Sequence, residues 1–231
     1  MSAPACSIVI PARNEAGSIA AVVAACDRLA LGEVIVVDDG STDGTGALAA
    51  AAGARVLRCT GGGGKGLALR RGAAIASGDV LVFLDGDGQD PPEHIPALLR
   101  AIDGGADLAI GSRFLGRFEP GAITALDRVG NRALSWVFDR LYGVALTDTQ
   151  AGFRAIRRRL FERLPLAARR YDIETEVLSR ALQAGARVAE VPVSRRARTH
   201  GNTGLQRIRD GARILGCMVA LRRDGPARTR P

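Results

Sequence analysis

Lysine is almost missing from this chain: of its 32 basic residues, Lys65 is the one that is not arginine. Cysteine is sparse as well. Cys6, Cys26, Cys59 and Cys217 are scattered and form no CxxC pair, which argues against a zinc site or a disulfide framework and for free thiols in a reducing compartment. Aromatic residues make up only 4% of the chain, and its positive charge is not gathered into one tract. A nucleic-acid binder would want both a stacking platform and a basic stripe, so that class is disfavoured. No apolar run reaches the roughly 20 residues of a spanning helix. Met1 to Ala5 also lacks a basic head followed by an apolar core, so neither an export signal nor a membrane span is expected.

What is present describes a globular protein. At 231 residues one compact domain is expected, and the 47% apolar and 24% charged fractions are ordinary for such a fold. The net charge of +8 calls for an anionic partner: a nucleotide, a phospholipid or a nucleic acid.

Short apolar runs alternate with helical stretches through the first half. Strands are expected at Ser7–Pro11, Glu33–Val37, Arg55–Arg58, Val80–Leu84 and Asp107–Gly111. Helices are expected at 16–29, 45–52, 65–76 and 92–102 between them. This rhythm predicts right-handed βαβ units and an α/β fold with a mostly parallel sheet. Ligands of such sheets sit outside the carboxyl ends of the strands. Polar clusters fall at those ends in turn: Arg13-Asn14-Glu15, Asp38-Asp39, Asp85-Gly86-Asp87 and Ser112-Arg113. The second half is less regular. A helix over 122–142 should bury Leu126, Val129, Ala133, Val137 and Leu141. A polar connection follows at Thr147–Arg154, then a helix over 173–184 and a strand over 187–193. A last helix over 205–223 should place Ile208, Leu215 and Val219 on one side, with a disordered tail from 224 to 231.

The sharpest stretch is Asp79 to Glu93. A buried strand ends in Asp85, Asp87 and Gln89, loosened by Gly86 and Gly88 and followed by Pro91-Pro92. Hard oxygen ligands at a strand end suit Mg²⁺ or Mn²⁺, with room left for substrate phosphates. Gly61 to Gly64 with Lys65 is not a P-loop, because Gly66 stands where Ser or Thr is required, and no GxGxxG follows the first strand. That glycine run reads instead as a cover near the site, with Lys65 reaching an anion, or as a plain surface loop. A nucleotide fits the remainder: Asp39 and Glu15 for ribose or base, and a metal on Asp85 and Asp87 for a diphosphate.

Three segments together resemble family 2 glycosyltransferases of the GT-A (Rossmann-like) fold: Ser7 to Glu15, Val36 to Thr45 and Leu84 to Pro92. Gly111-Ser112-Arg113, Asp127 to Arg132, Thr147 to Arg154 and Glu190-Val191-Pro192 are similar to the branch that makes dolichol- or polyprenyl-phosphate mannose or glucose. The resemblance implies metal ligands at Asp85, Asp87 and Gln89, and donor contacts at Pro11, Arg13, Glu15, Val37, Asp39 and Gly86. It further implies phosphate contacts at Arg113 and Arg198, and acceptor contacts near Arg128 and Arg132. Where relatives end a motif with Ser-Lys, Gly204 stands here, so Arg207 or Lys65 would have to replace that contact.

The implied reaction moves a hexose from GDP-mannose or UDP-glucose to polyprenyl phosphate with inversion, using Mg²⁺ or Mn²⁺. A prenyl phosphate is already anionic, so no strong base is needed; Asp87 and Arg113 would carry the chemistry. A soluble hydroxyl acceptor is the alternative, with Asp148 or Glu174 as base. A nucleotidyltransferase and a nucleic-acid binder are more remote. One catalytic domain is expected over 1–223, with a donor half over 1–113 and an acceptor half over 114–223. The helix over 122–142, with Trp136 and Phe138, and the last helix are candidates for peripheral contact with anionic lipid on the cytoplasmic face of a membrane, set against plain core packing.

Overall fold

The computed structural model of the chain describes residues 6–201 and 207–225. Its sheet has seven strands: β1 (Cys6–Ala12), β2 (Gly32–Asp38), β3 (Arg55–Arg58), β4 (Val80–Phe83), β5 (Leu108–Ser112), β6 (Arg154–Arg157) and β7 (Val188–Pro192). They lie in the order β3-β2-β1-β4-β6-β5-β7. Every neighbouring pair is parallel except those of β6, which runs antiparallel to both β4 and β5. The mostly parallel α/β sheet expected from the sequence is therefore present.

Side chains alternate across each strand and so feed two separate cores. Ile8, Ile10, Val34, Val36, Val80 and Val82 pack beneath α1 (Ile19–Asp27), α2 (Thr45–Ala51) and α4 (Ile95–Asp103). Val9, Ile35, Val37, Leu81 and Phe83 face the other layer. That layer comprises α3 (Lys65–Ile75), α5 (Ala125–Tyr142), α6 (Arg158–Arg163), α7 (Ile173–Gln183) and α8 (Arg207–Arg223). Strands buried on both faces need continuous apolar runs, and these have them. Helix α3 sits so close that a Cβ on Gly72 would lie 2.3 Å from a methyl of Val9.

Three expectations need correction. The polar connection ending at Arg154 continues into β6, whose short Arg-Ala-Ile-Arg sequence follows a polar stretch outside the strand–helix rhythm of the first half. Arg154 is nonetheless 2% exposed. Its guanidinium donates to the backbone carbonyls of Ala151 (2.6 Å), Glu174 (2.7 Å) and Thr149 (2.6 Å), stapling the 149–151 loop to the start of α7. Burial pulls its pKa down to about 10, which still leaves it charged at neutral pH.

The stripe expected along α5 fails at its start: Leu126 and Val129 are 67% and 66% exposed, and core contact begins only at Leu134. Eighteen residues span about 27 Å, more than the face they cover. The buried face of α8 is Asp210, Ile214, Met218 and Leu221, because α5 and α7 flank that side; Leu215 and Val219 face outward. Gly204, Leu205 and the tail over 226–231 lie outside the described residues, as do the side chains of Arg207 and Ile208. Among the described residues no helix is long and apolar enough to cross a membrane.

Replacing Arg154 with alanine strands three backbone carbonyls inside the protein. Urea unfolding should show a loss of about 3–5 kcal/mol. A loss within about 0.5 kcal/mol, ordinary for an exposed position, would contradict the stapling role.

Candidate active site

Six parallel strands end on one rim, and their loops lace together there. Asn14 sits in the left-handed region (φ 55°) and its side-chain oxygen accepts from the backbone N–H of Thr42. The backbone N–H of Glu15 donates to Thr45 Oγ1 at 2.8 Å, so the loop after β1 is braced by the loop after β2. Asp39 is buried, and its two carboxylate oxygens accept from the backbone N–H groups of Gly63 (2.7 Å) and Gly64 (2.8 Å). The backbone N–H of Gly66 donates to the Arg169 carbonyl, and a Cβ on Gly64 would lie 2.4 Å from that same oxygen. Only glycine admits this close approach, so the glycine run is anchored next to Asp39 and Lys65, where Gly62, Gly63 and Gly64 line an adjoining cavity.

Lys65 opens α3 and points inward. Its Nζ lies 2.6 Å from Asp85 Oδ1 and 2.8 Å from Glu174 Oε1, pinning the end of β4 to the start of α7. The anion it reaches is thus a pair of carboxylates. Burial works to raise Asp85, but Lys65 overrides it and holds the carboxyl below its usual range. Asp87 behaves oppositely: burial first, then the charges of Asp85 and Asp90, push it up. Its Oδ1 accepts from the backbone N–H of Gln89 at 3.0 Å, and its Oδ2 faces Arg198 Nη1 at 3.1 Å. Arg198 also donates to Glu15 Oε1 (2.5 Å) and to the His200 carbonyl (2.8 Å). The Gly86 carbonyl accepts from Ser18 Oγ at 2.7 Å, fixing this turn against α1.

Arg195 was not among the expected site residues, hidden in an arginine-rich run just past β7. It donates to Asp90 Oδ1 (2.6 Å) and Gln89 Oε1 (2.8 Å) and lies 3.9 Å from Asp87. Because β7 runs parallel to β5, its carboxyl end reaches the same rim, and that placement was the available signal. Arg113 is held in a fork by Asp148, with Nε to Oδ2 and Nη2 to Oδ1 both at 2.7 Å. Glu190 in turn accepts from the backbone N–H groups of Thr147 and Asp148, fixing the residue that fixes Arg113.

A cavity of about 490 Å³ gathers most of the expected residues: Pro11, Arg13, Glu15, Asp39, Lys65, Asp85, Gly86, Asp87, Gln89, Arg113 and Arg198. Three lie elsewhere. Val37 is fully buried in the core of β2. Arg128 and Arg132 stack over the rings of Phe118 and Phe114, each at 5.4 Å, and Asp127 and Asn131 line the cavity from α5 in their place.

The sequence model described as glycosyl transferase family 2 matches residues 7–165. The chain belongs to glycosyltransferase family 2. It is 36% identical over 210 residues to the glycosyltransferase AglJ of Haloferax volcanii, covering 90% of this chain and 69% of that protein. It is 35% identical over 212 residues to the polyprenol monophosphomannose synthase of Mycolicibacterium smegmatis, covering 81% of this chain and 76% of that one. Among solved structures, the glucosyl-3-phosphoglycerate synthase of Mycobacterium tuberculosis superimposes with a TM-score of 0.77 at 28% identity, covering 95% of this chain and 80% of that one. That structure holds Mn²⁺, UDP-glucose and phosphoglyceric acid. The fold is the GT-A glycosyltransferase fold, and the named relatives support the polyprenyl-phosphate sugar synthase branch of the family.

The donor set suits a hard divalent cation. Among the described residues no three His, Cys, Asp or Glu side chains form a complete cage. Asp85 and Asp87 line the cavity with oxygen ligands, while Gln89, the third expected ligand, has its Oε1 engaged by Arg195; Mg²⁺ and Mn²⁺ accept such partial sets when substrate phosphates complete them. The charges of Asp85 and Asp90 add to burial in pushing Asp87 up, an acidic crowding that a cation at Asp87 relieves.

Asp148→Asn leaves Arg113 buried without its charge partner. Equilibrium unfolding should register a loss of about 3–5 kcal/mol, and removing Arg113 as well should cost less than the two single changes added together. Strict additivity would contradict the pairing.

Proposed function

We propose that this glycosyltransferase moves a hexose from a nucleotide sugar, GDP-mannose or UDP-glucose, to polyprenyl phosphate with inversion. The observation that carries this reading is the lining of the cavity. Asp87, Lys65 and Arg113 line it together with the apolar side chains of Leu126 and Leu134 of α5 and Ile214 of α8. A phosphate among the charged groups and an alkyl chain along the apolar ones match the two halves of a prenyl phosphate. The residues before about 113, together with Arg198, would serve the donor, and the others after it the acceptor.

Glu15, Arg13 and the Pro11 backbone line the nucleotide end. Asp87, with Asp85 and Gln89 beside it, is the position for Mg²⁺ or Mn²⁺; a cation bound there supplies Lewis-acid neutralisation of the departing diphosphate. Arg198 neutralises the donor phosphates, while Arg113, held rigid by Asp148, aligns the acceptor phosphate for in-line attack. Base catalysis has little to draw on, because Asp148 is engaged by Arg113 and Glu174 by Lys65. An acceptor that arrives already anionic needs none. A soluble hydroxyl acceptor, with Asp148 or Glu174 as base, fits these pairings less well.

Leu126, Val129 and Trp136 of α5 and Leu215 and Val219 of α8 are exposed apolar side chains interspersed with Arg128, Arg132, Arg140, Arg209 and Arg213. That combination favours docking on an anionic membrane surface at the cytoplasmic face, where the acceptor would be met.

The function is tested by incubating the protein with labelled nucleotide sugars, polyprenyl phosphate and Mn²⁺ or Mg²⁺, then extracting into organic solvent. Label should enter the lipid, and Asp87→Ala should abolish that transfer while leaving the protein folded. Absence of lipid label with every donor would overturn the acceptor. Trp136 is the sole tryptophan. Its emission should shift to the blue with anionic vesicles and stay unchanged with neutral ones; identical spectra in both would remove the membrane face.

A further inference from the structure

Asp87 already has a counter-ion. Its Oδ2 faces the Arg198 guanidinium at 3.1 Å, and its Oδ1 is taken by the Gln89 backbone N–H. A divalent cation approaching this carboxylate meets a positive charge in place, so one cation has to give way. Lys65 is locked between Asp85 and Glu174, and Arg195 is held by Asp90 and Gln89 and stays 3.9 Å from Asp87. Arg198 is the cation in direct contact with Asp87 Oδ2, and its other carboxylate partner, Glu15, also lines the cavity.

We propose that Arg198 is a stand-in for the metal: it neutralises Asp87 in the donor-free protein and is displaced when metal and donor enter together. The donor's diphosphate then provides both the anion that receives Arg198 and the ligands that complete the cation's shell. Metal binding is in this way conditional on the nucleotide, and the coupling runs through one side chain. This rests on the reading that Asp87 holds the metal.

Mn²⁺ titrations followed by electron paramagnetic resonance separate the two claims. Native protein should bind Mn²⁺ weakly alone and more tightly with UDP or GDP present. Arg198→Gln should tighten binding in the absence of nucleotide by about tenfold and shrink the gain that nucleotide brings. Arg198→Lys, which keeps the charge, should stay close to native, an outcome that mere loosening of the segment would not produce. Asp87→Asn should lose Mn²⁺ in every condition. If Asp87→Asn loses Mn²⁺ while Arg198→Gln binds it no tighter than native protein, the stand-in role is overturned alone. If Asp87→Asn binds Mn²⁺ as well as native protein does, the metal position itself is wrong. Thermal melts of each variant confirm that the comparison is between folded proteins.

Discussion

One lysine carries more of this structure than its number suggests. Lys65 ties Asp85, at the end of β4, to Glu174, in the first turn of α7, through contacts of 2.6 and 2.8 Å. Two carboxylates brought to one point would repel each other. A shared ammonium offsets that repulsion and fixes three elements at once: α3, the sheet rim and the C-terminal helical layer. The glycine run that delivers Lys65 is anchored in turn by Asp39 and the Arg169 carbonyl. The site is therefore built from outside inward, with Lys65, Arg113, Arg195 and Arg198 each held by a carboxylate before any ligand arrives.

The same economy decides the chemistry. Asp85 is neutralised by Lys65, Asp90 by Arg195 and Asp148 by Arg113, while Asp87 keeps a raised pKa from burial and its acidic neighbours. An arrangement that pairs its carboxylates off is poorly equipped to deprotonate an alcohol and well equipped to receive a diphosphate and a second phosphate. That is why the acceptor favoured here brings its own negative charge. The apolar wall supplied by α5 and α8 extends the argument to the rest of the acceptor.

Most of the nucleotide-side architecture could be read from the residues. The strands through Ser112, apart from the short edge strand β3, have uninterrupted apolar runs, and their polar ends follow directly from the rule that parallel sheets present ligands at carboxyl ends. β3 is as short as β6 but falls in the strand–helix rhythm, whereas β6 follows the polar stretch 147–152 where that rhythm has broken, and Arg154 is buried only by virtue of three backbone carbonyls that are distant in sequence or turned inward by the loop. Periodicity misled on α5 and α8 for a different reason. An amphipathic stripe marks a face that avoids water, but it does not say whether protein or another apolar phase covers it, and Leu126, Val129, Leu215 and Val219 remain outside. Arg195 escaped notice among its arginine neighbours, since only the fold distinguishes the one whose side chain turns toward Gln89 and Asp90.

The central claim is that the rim of β4 places Asp87 to hold a metal against a nucleoside diphosphate. Crystals grown with Mn²⁺ and UDP or GDP, with diffraction recorded at the manganese absorption edge, test it most directly. A single anomalous peak within bonding reach of the Asp87 carboxylate, with the diphosphate beside it and Arg198 turned onto the phosphates, is the predicted result. Manganese bound away from Asp87, with the Arg198–Asp87 contact still intact, would contradict the account.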